Sequence, residues 1–146
     1  MMRNGNKCIV LSLSSLFFLV PLAVFFAKHR DPFRRWTYEH ILAVLLVCNV
    51  VFSVSFWLNP IRPSIIHSLD GLFAKISAIV FSVYILFIKS LSLKMRITAF
   101  AILCLISILR YYSHIYSRDN WCSPNHVLVH ALFHFFASAG CSFAFI

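Results

Sequence analysis

The stretch Cys8–Ala27, CIVLSLSSLFFLVPLAVFFA, runs for 20 residues without a Lys, Arg, Asp or Glu. A helix needs about 20 predominantly apolar residues to cross the hydrocarbon core of a bilayer. Pro21 falls inside the stretch, and a membrane helix tolerates a proline as a kink. The stretch therefore predicts a transmembrane helix near the start of the chain.

A cleaved signal peptide is the alternative for this stretch. Arg3 and Lys7 precede it as a basic segment, and Ala27 is a small residue at its end. The apolar core of a signal peptide is about 7–15 residues long, however, and this run is longer. We therefore expect a helix that is not cleaved.

The rest of the chain has the same apolar character. Of its 146 residues, 61% are hydrophobic and 12% are charged, and the mean hydropathy is +0.87. A soluble domain of this size could not bury so much apolar surface. Four more apolar segments follow residues 8–27, at 41–58, 69–88, 97–112 and 126–146. The sequence predicts an all-α integral membrane bundle of about five transmembrane helices, forming a single domain over residues 1–146.

The basic residues predict an orientation for this bundle. Five spans place the loops at 28–40 and 89–96 on the side of the C-terminus. That side carries seven basic residues and the other side five: Lys28, Arg30, Arg34, Arg35, Lys89, Lys94 and Arg96 against Arg3, Lys7, Arg62, Arg110 and Arg118. Because basic loops stay in the cytosol, we expect a cytosolic C-terminus and an extracytosolic N-terminus. Attraction to anionic headgroups accounts for the net charge of +9, so no nucleic-acid partner is expected.

The cysteines and the first serines predict ordinary packing roles. Cys8, Cys48, Cys104 and Cys141 fall in or beside apolar spans, only Cys122 lies in a loop, and no CxxC occurs. Buried cysteine usually acts as a small hydrophobic residue, so a disulfide framework is not expected. Three serines of the first span are expected only to satisfy helix carbonyls: Ser12, Ser14 and Ser15.

Polar residues gather at one leaflet once the chain is threaded through the membrane. They lie at the end of the second span and at the start of the third and fifth: Ser53, Ser55, Asn59, His67, Asp70, His126, His130 and His134. His130 and His134 are four residues apart, so both project from one helix face and can share a metal ion. An interfacial cluster that meets headgroups and water is the simpler alternative. Because ionisable groups within a membrane are costly, the clustering favours a functional site.

The run HALFHFFASAGCSFAFI at residues 130–146 resembles the last helix of alkaline ceramidases, where HxxxH precedes a small-residue stretch with a glycine. These enzymes belong to a superfamily of membrane hydrolases that includes the progestin and adiponectin receptors. The family's Ser-x3-His falls at Ser55–Asn59, with Asn59 in place of the histidine, and its aspartate, eleven residues later, falls at Asp70. The family has seven spans. Loss of one hairpin would preserve the direction of the last helix.

The resemblance, over residues 41–90 and 121–146, implies zinc-dependent hydrolysis of a lipid amide, with a ceramide-like membrane lipid as substrate. His130 and His134 would be zinc ligands, Asp70 would orient or deprotonate the water, and Ser55 would stabilise the oxyanion. Two imidazoles alone make a weak zinc site. His67, or else His126, could supply the third nitrogen.

Other functions compete with the hydrolase. One is a non-catalytic relative that keeps the fold and serves lipid binding or membrane assembly. Another is a haem-binding bundle in which His130 and a second histidine are axial ligands. The residue at position 59 helps to distinguish the hydrolase from the non-catalytic relative, because replacement of the family histidine by Asn59 favours loss of catalysis.

Overall fold

The computed structural model describes residues 5–29 and 37–146, and within these ranges the chain is all-helical, with five helices and no strands. The first, α1, runs from Gly5 to Lys28. The others are α2 (Tyr38–Leu58), α3 (Ile65–Val83, extended by a π-helical turn Tyr84–Ile88), α4 (Leu93–Asp119) and α5 (Pro124–Ser142). The predicted all-α architecture is confirmed.

Three helices are long and apolar enough to cross a membrane: Cys8–Lys28, Tyr38–Leu58 and Ile65–Ile88. They correspond to the first three predicted spans. These segments make the chain an integral membrane protein by length and composition. The fourth and fifth predicted spans coincide with α4 and α5, and their crossing of the membrane remains a prediction.

Local capping signals explain where the helices begin. Ser64, Ser92 and Ser123 stand before α3, α4 and α5, and each side chain accepts a hydrogen bond from the backbone N–H three residues later. Such caps satisfy amides that have no partner within the helix. Pro124 follows the last of these serines at the start of α5, where its missing N–H costs nothing. The apolar pattern alone placed the start of the third helix at residue 69, and the serine cap moves it to Ile65.

Pro21 distorts α1 as expected. The helix is regular over Gly5–Ser15, tightens into a 3-10 turn at Leu16–Phe18, and resumes over Leu19–Lys28. A proline ring clashes with the carbonyl of the fourth residue before it, here Phe17, so the change in winding occurs one turn before the proline. Within the 3-10 turn, the carbonyl of Phe17 accepts a hydrogen bond from Ser138 Oγ of α5 at 2.6 Å.

Helix α4 is longer than the apolar segment that predicted it, since residues 113–119 continue the helix beyond position 112. These residues are polar, so hydropathy does not report them. Ser113 and Ser117 nevertheless lie one turn apart and are both buried. The additional turns therefore extend the contact between α4 and α5.

Close approach of α4 and α5 depends on Gly140. A Cβ atom at this position would lie 3.3 Å from Ile102 Cγ2 and 3.4 Å from Ile106 Cδ1. Small residues at a helix interface let the backbones approach closely, which is how membrane helices gain packing energy. Helix α5 also packs against α1, so it lies between α1 and α4.

The expectation that the cysteines form no disulfide framework is wrong for one pair. Cys8, in the first turns of α1, and Cys122, in the turn between α4 and α5, form a disulfide with a Cα–Cα distance of 5.7 Å. Their separation of 114 residues concealed the pairing in the sequence. Cys48, Cys104 and Cys141 are free, as expected. The disulfide belongs to a buried cluster with Leu11, Phe56 and Trp57.

The opposite end of the bundle is held by a buried carboxylate. Glu39 pairs with Lys28 and Lys89 at 3.0 Å and with His29 Nε2 at 2.8 Å. Lys89 Nζ also donates to the carbonyl of Ala144. The π-helical turn of α3 ends directly before Lys89 and brings that side chain to Glu39. The two ends therefore differ, with an ion-pair cluster at one and a disulfide at the other.

Candidate functional site

A cavity of about 770 Å³ opens between α2, α3, α4 and α5. Apolar side chains cover most of its wall, among them Leu46, Phe81, Ile102 and Phe133. Polar side chains also line it: Ser53, Arg62, His67, Asp70, Arg110, Ser113, His126, His130 and His134. A cavity with apolar walls and a few convergent polar groups is the usual form of a small-molecule site.

The helix ends predicted to meet at one leaflet do meet. The ring of Phe56, near the end of α2, lies 4.8 Å from that of His67 at the start of α3. Trp57, the next residue, lies 5.9 Å from His126 and 5.0 Å from His130, both on α5, measured between ring centroids. Asp70, His67, His130 and His134 therefore share one cavity.

His130 and His134 form the buried centre of the site. They are 8% and 3% exposed, and their ring centroids are 4.6 Å apart. Each ring is held through Nδ1 by a serine of another helix, His130 by Ser113 at 2.7 Å and His134 by Ser14 at 2.8 Å. The expectation that Ser14 only satisfies a helix carbonyl is therefore incomplete.

The Ser14 hydroxyl links the tautomer of His134 to a helix carbonyl. Ser14 Oγ lies 3.0 Å from the carbonyl of Leu11 and 2.8 Å from His134 Nδ1. When its single proton goes to the carbonyl, Ser14 accepts from Nδ1–H, and Nε2 of the neutral ring keeps its lone pair. In that tautomer His134 can accept a proton or bind a cation through Nε2.

His126 has the opposite arrangement. The backbone N–H of Cys122 donates to His126 Nδ1 at 3.3 Å, which occupies that lone pair and leaves the proton of the neutral ring on Nε2. The ring also stacks on Trp121, with centroids 4.9 Å apart. His126 therefore stabilises the turn that contains Cys122, and its Nε2 is a donor in this state.

The serine of α2 that lines the cavity with Asp70 is Ser53, whereas the resemblance assigned Ser55 to the site. The Oγ of Ser53 is 2.8 Å from Ser15 Oγ. Ser55 is exposed on another face of α2 and does not line the cavity. Two residues along a helix correspond to a rotation of about 200°, so Ser53 and Ser55 cannot both face the cavity.

Position 59 is likewise not part of the cavity wall. Asn59 is the exposed C-cap of α2. The residue of α2 that faces His130 is Trp57, whose Nε1 is buried and has no hydrogen-bond partner within the described residues. An indole N–H is a donor only, so Trp57 cannot bind a metal ion.

The structure brings two of the candidate zinc ligands, His130 and His134, into ring contact. In the part of the chain that the structure describes, no group of three or more His, Cys, Asp or Glu side chains could hold a metal ion. His67 lines the cavity and packs on Phe56, but it does not join His130 and His134 in such a group. Two imidazoles are one nitrogen short of the three protein ligands that hydrolytic zinc sites use.

Five residues of the site carried no clear signal in the sequence. Ser14 and Ser113 hold the imidazoles, Trp57 faces them, and Arg62 and Arg110 line the cavity. The spacing of Ser113 and Ser117, one helical turn apart, could have indicated a polar face on α4. The others act across helices, and no local pattern reports such contacts. No family model, curated protein or solved structure matches this chain.

Proposed function

We propose that this protein binds a membrane lipid in the cavity between α2, α3, α4 and α5. The cavity itself carries the proposal, because its volume of about 770 Å³ lies within the range of about 300–1,000 Å³ that ligand sites occupy. Its apolar wall suits acyl chains. Its polar end, with Ser53, Asp70, His130 and His134, suits the hydroxyl, amide or ester groups at the head of a lipid.

Filling the cavity tests this proposal. Ala78 lines the cavity, whereas Ala101 is exposed elsewhere, on α4. We expect protein purified in mild detergent to carry lipid that mass spectrometry detects, Ala78→Trp to lose most of that lipid, and Ala101→Trp to retain it. Equal lipid content in all three proteins would place the bound lipid outside the cavity and contradict the proposal.

Hydrolysis of a lipid amide is the second candidate, and the serine-held histidines favour it. Imidazoles fixed through Nδ1, with Nε2 left for a ligand, are typical of metal and proton-transfer sites. Ser53 and Asp70 add a hydroxyl and a carboxylate to the same cavity. Because no third zinc ligand joins His130 and His134 among the described residues, we rank this activity below lipid binding. Release of fatty acid from ceramide, abolished by His134→Ala, would reverse that order.

We also propose five membrane spans, with the disulfide end of the bundle facing an extracytosolic compartment and the C-terminus in the cytosol. Disulfides persist in oxidising compartments and are rare in the cytosol. The Cys8–Cys122 bond therefore supports the orientation that the basic loops predict, and it does so independently of charge. The polar end of the cavity lies beside this disulfide, since Trp57 belongs to the same buried cluster.

A further inference from the structure

Three arginines, Arg62, Arg110 and Arg118, line the cavity together with Lys75. Two of these arginines, Arg62 and Arg110, lie against aromatic rings. The guanidinium carbon of Arg62, in the loop between α2 and α3, lies 3.5 Å from the centroid of the Trp121 ring. Arg110, on α4, has its guanidinium carbon 6.0 Å from the centroid of Phe133. Both arginines line the cavity with His126 and His130. Aromatic rings thus position two cations in a wall that is otherwise mostly apolar.

Neither arginine forms an ion pair with a carboxylate within the described ranges, although the charge of Arg110 acts on Asp70 from a longer distance. The ion pairs found there all involve Glu39, at the other end of the bundle. Asp70 is the acidic residue of the cavity wall, and it makes no ion pair within 4.0 Å with either arginine. Burial and the nearby charge of Arg110 both lower the pKa of Arg62. The two guanidinium groups therefore repel each other in a partly desolvated space.

We propose that the cavity takes a lipid with a phosphate headgroup, which Arg62 and Arg110 bind while the acyl chains occupy the apolar wall. This rests on the proposed lipid-binding function and names the class of lipid. Guanidinium groups bind phosphate through paired hydrogen bonds, and such charge-assisted bonds are stronger than neutral ones. A phosphate between the two arginines would relieve their repulsion. A neutral headgroup would leave Arg62 without an anion and Arg110 with only the nearby charge of Asp70.

The test compares two lipids that differ only in the phosphate, phosphatidic acid and diacylglycerol with identical acyl chains. Each is titrated into the delipidated, detergent-purified full chain, with binding followed by native mass spectrometry. We expect the wild type to bind phosphatidic acid at least about tenfold more tightly, because charge-assisted hydrogen bonds are the difference. In Arg62→Gln/Arg110→Gln this preference should fall to less than about threefold, while diacylglycerol binding is retained.

Arg96→Gln is the matched control, since Arg96 is exposed on the first turn of α4 and does not line the cavity. It should keep the wild-type preference. Ala78→Trp should lose binding of both lipids. Millimolar inorganic phosphate should not displace phosphatidic acid, because it lacks the acyl chains; full displacement would point to a site for free phosphate and overturn the proposal.

Other outcomes would also overturn it. Equal binding of both lipids by the wild type would show that phosphate is not recognised and would leave the proposed lipid-binding function standing. A preference that survives in the double variant would exclude Arg62 and Arg110 as the phosphate site. A preference that survives in Ala78→Trp would locate phosphate binding outside the cavity. Failure of the wild type to bind either lipid would contradict the lipid-binding function together with this inference.

Discussion

Trp57 occupies the place on α2 where a third imidazole would be needed. Its ring centroid lies 5.0 Å from that of His130, and the side chain is 3% exposed. The family resemblance pointed to Asn59, which is the exposed C-cap of the same helix. Residue 57, and not residue 59, is therefore the position of α2 at which a histidine would face His130.

We expect Trp57→His to gain zinc binding, because the new imidazole would join His130 and His134 as a third nitrogen. Purified wild type should contain well under one zinc per chain, and Trp57→His should approach one by elemental analysis. Asn59→His should remain at the wild-type level, and Trp57→Phe should show whether loss of the indole alone changes the metal content.

Adding His134→Ala to Trp57→His should remove the gained metal. If Asn59→His gained zinc while Trp57→His did not, position 59 would be the true counterpart of the family histidine. The last turn of α2 would then have to be rotated so that residue 59, and not residue 57, faces His130.

At the scale of helices, α4 and α5 pack together and form one side of the cavity wall, where His130 is buried. Gly140 allows that contact, since Ile102 and Ile106 would lie within 3.4 Å of a Cβ atom there. Ser113 spans the same interface to reach His130. Separation of these helices should therefore disturb both the packing and the position of the imidazole.

Gly140→Val should destabilise the protein by about 1–3 kcal/mol, the usual cost of forcing extra methyl groups into a packed interface. The matched control is Gly71→Val on α3, where an added Cβ meets no atom within 4 Å. That control should be neutral or slightly stabilising, since valine favours the helix over glycine by a few tenths of a kcal/mol.

The measurement is the thermal unfolding midpoint in detergent for the two variants and the wild type. Gly140→Val should unfold at a lower temperature than Gly71→Val. Equal midpoints would show that α4 and α5 can move apart without cost, which is incompatible with close packing of the two helices at Gly140.

At the scale of the whole molecule, the disulfide and the Glu39 cluster join distant parts of the chain at opposite ends of the bundle. Cys8 and Cys122 are 114 residues apart. Glu39 draws together the end of α1, the start of α2 and the residue that follows α3. Helices α2 and α3 are thus held at one end by ion pairs, while their other ends border the cavity.

Cys8→Ser/Cys122→Ser should unfold at a lower temperature than the wild type. Closing a loop of this length removes denatured-state entropy worth about 2–5 kcal/mol in typical cases. When dithiothreitol is added, the unfolding midpoint of the wild type should fall to that of the variant. Cys104→Ser, which removes an exposed free thiol, should keep the wild-type midpoint.

Thiol labelling of the unfolded protein provides the second readout. Without reductant the wild type should take up three maleimides, on Cys48, Cys104 and Cys141, and with reductant it should take up five. Five labels without reductant would exclude the disulfide and remove its support for an extracytosolic location of this end.

Local sequence patterns were sufficient to predict that the chain is all-helical and that it belongs to the integral membrane proteins. Apolar runs such as Cys8–Ala27, a proline kink and serine caps act within a few residues, so they can be read along the chain. The polar residues that meet at one end of the bundle could also be anticipated, because helix direction alternates with each span. Asp70, His130 and His134 were identified in this way, and they line one cavity.

The rotation of each helix about its own axis determined which of the polar residues form the site. Each residue turns a helix by about 100°, so the choice among Ser53, Ser55, Trp57 and Asn59 depends on how α2 packs against its neighbours, which no local pattern encodes. The same holds for Ser14 beside His134 and for Cys8 beside Cys122, since these pairs are separated by more than 100 residues. Contacts of such range exist only once the bundle has assembled, and they decide which polar side chains face the cavity.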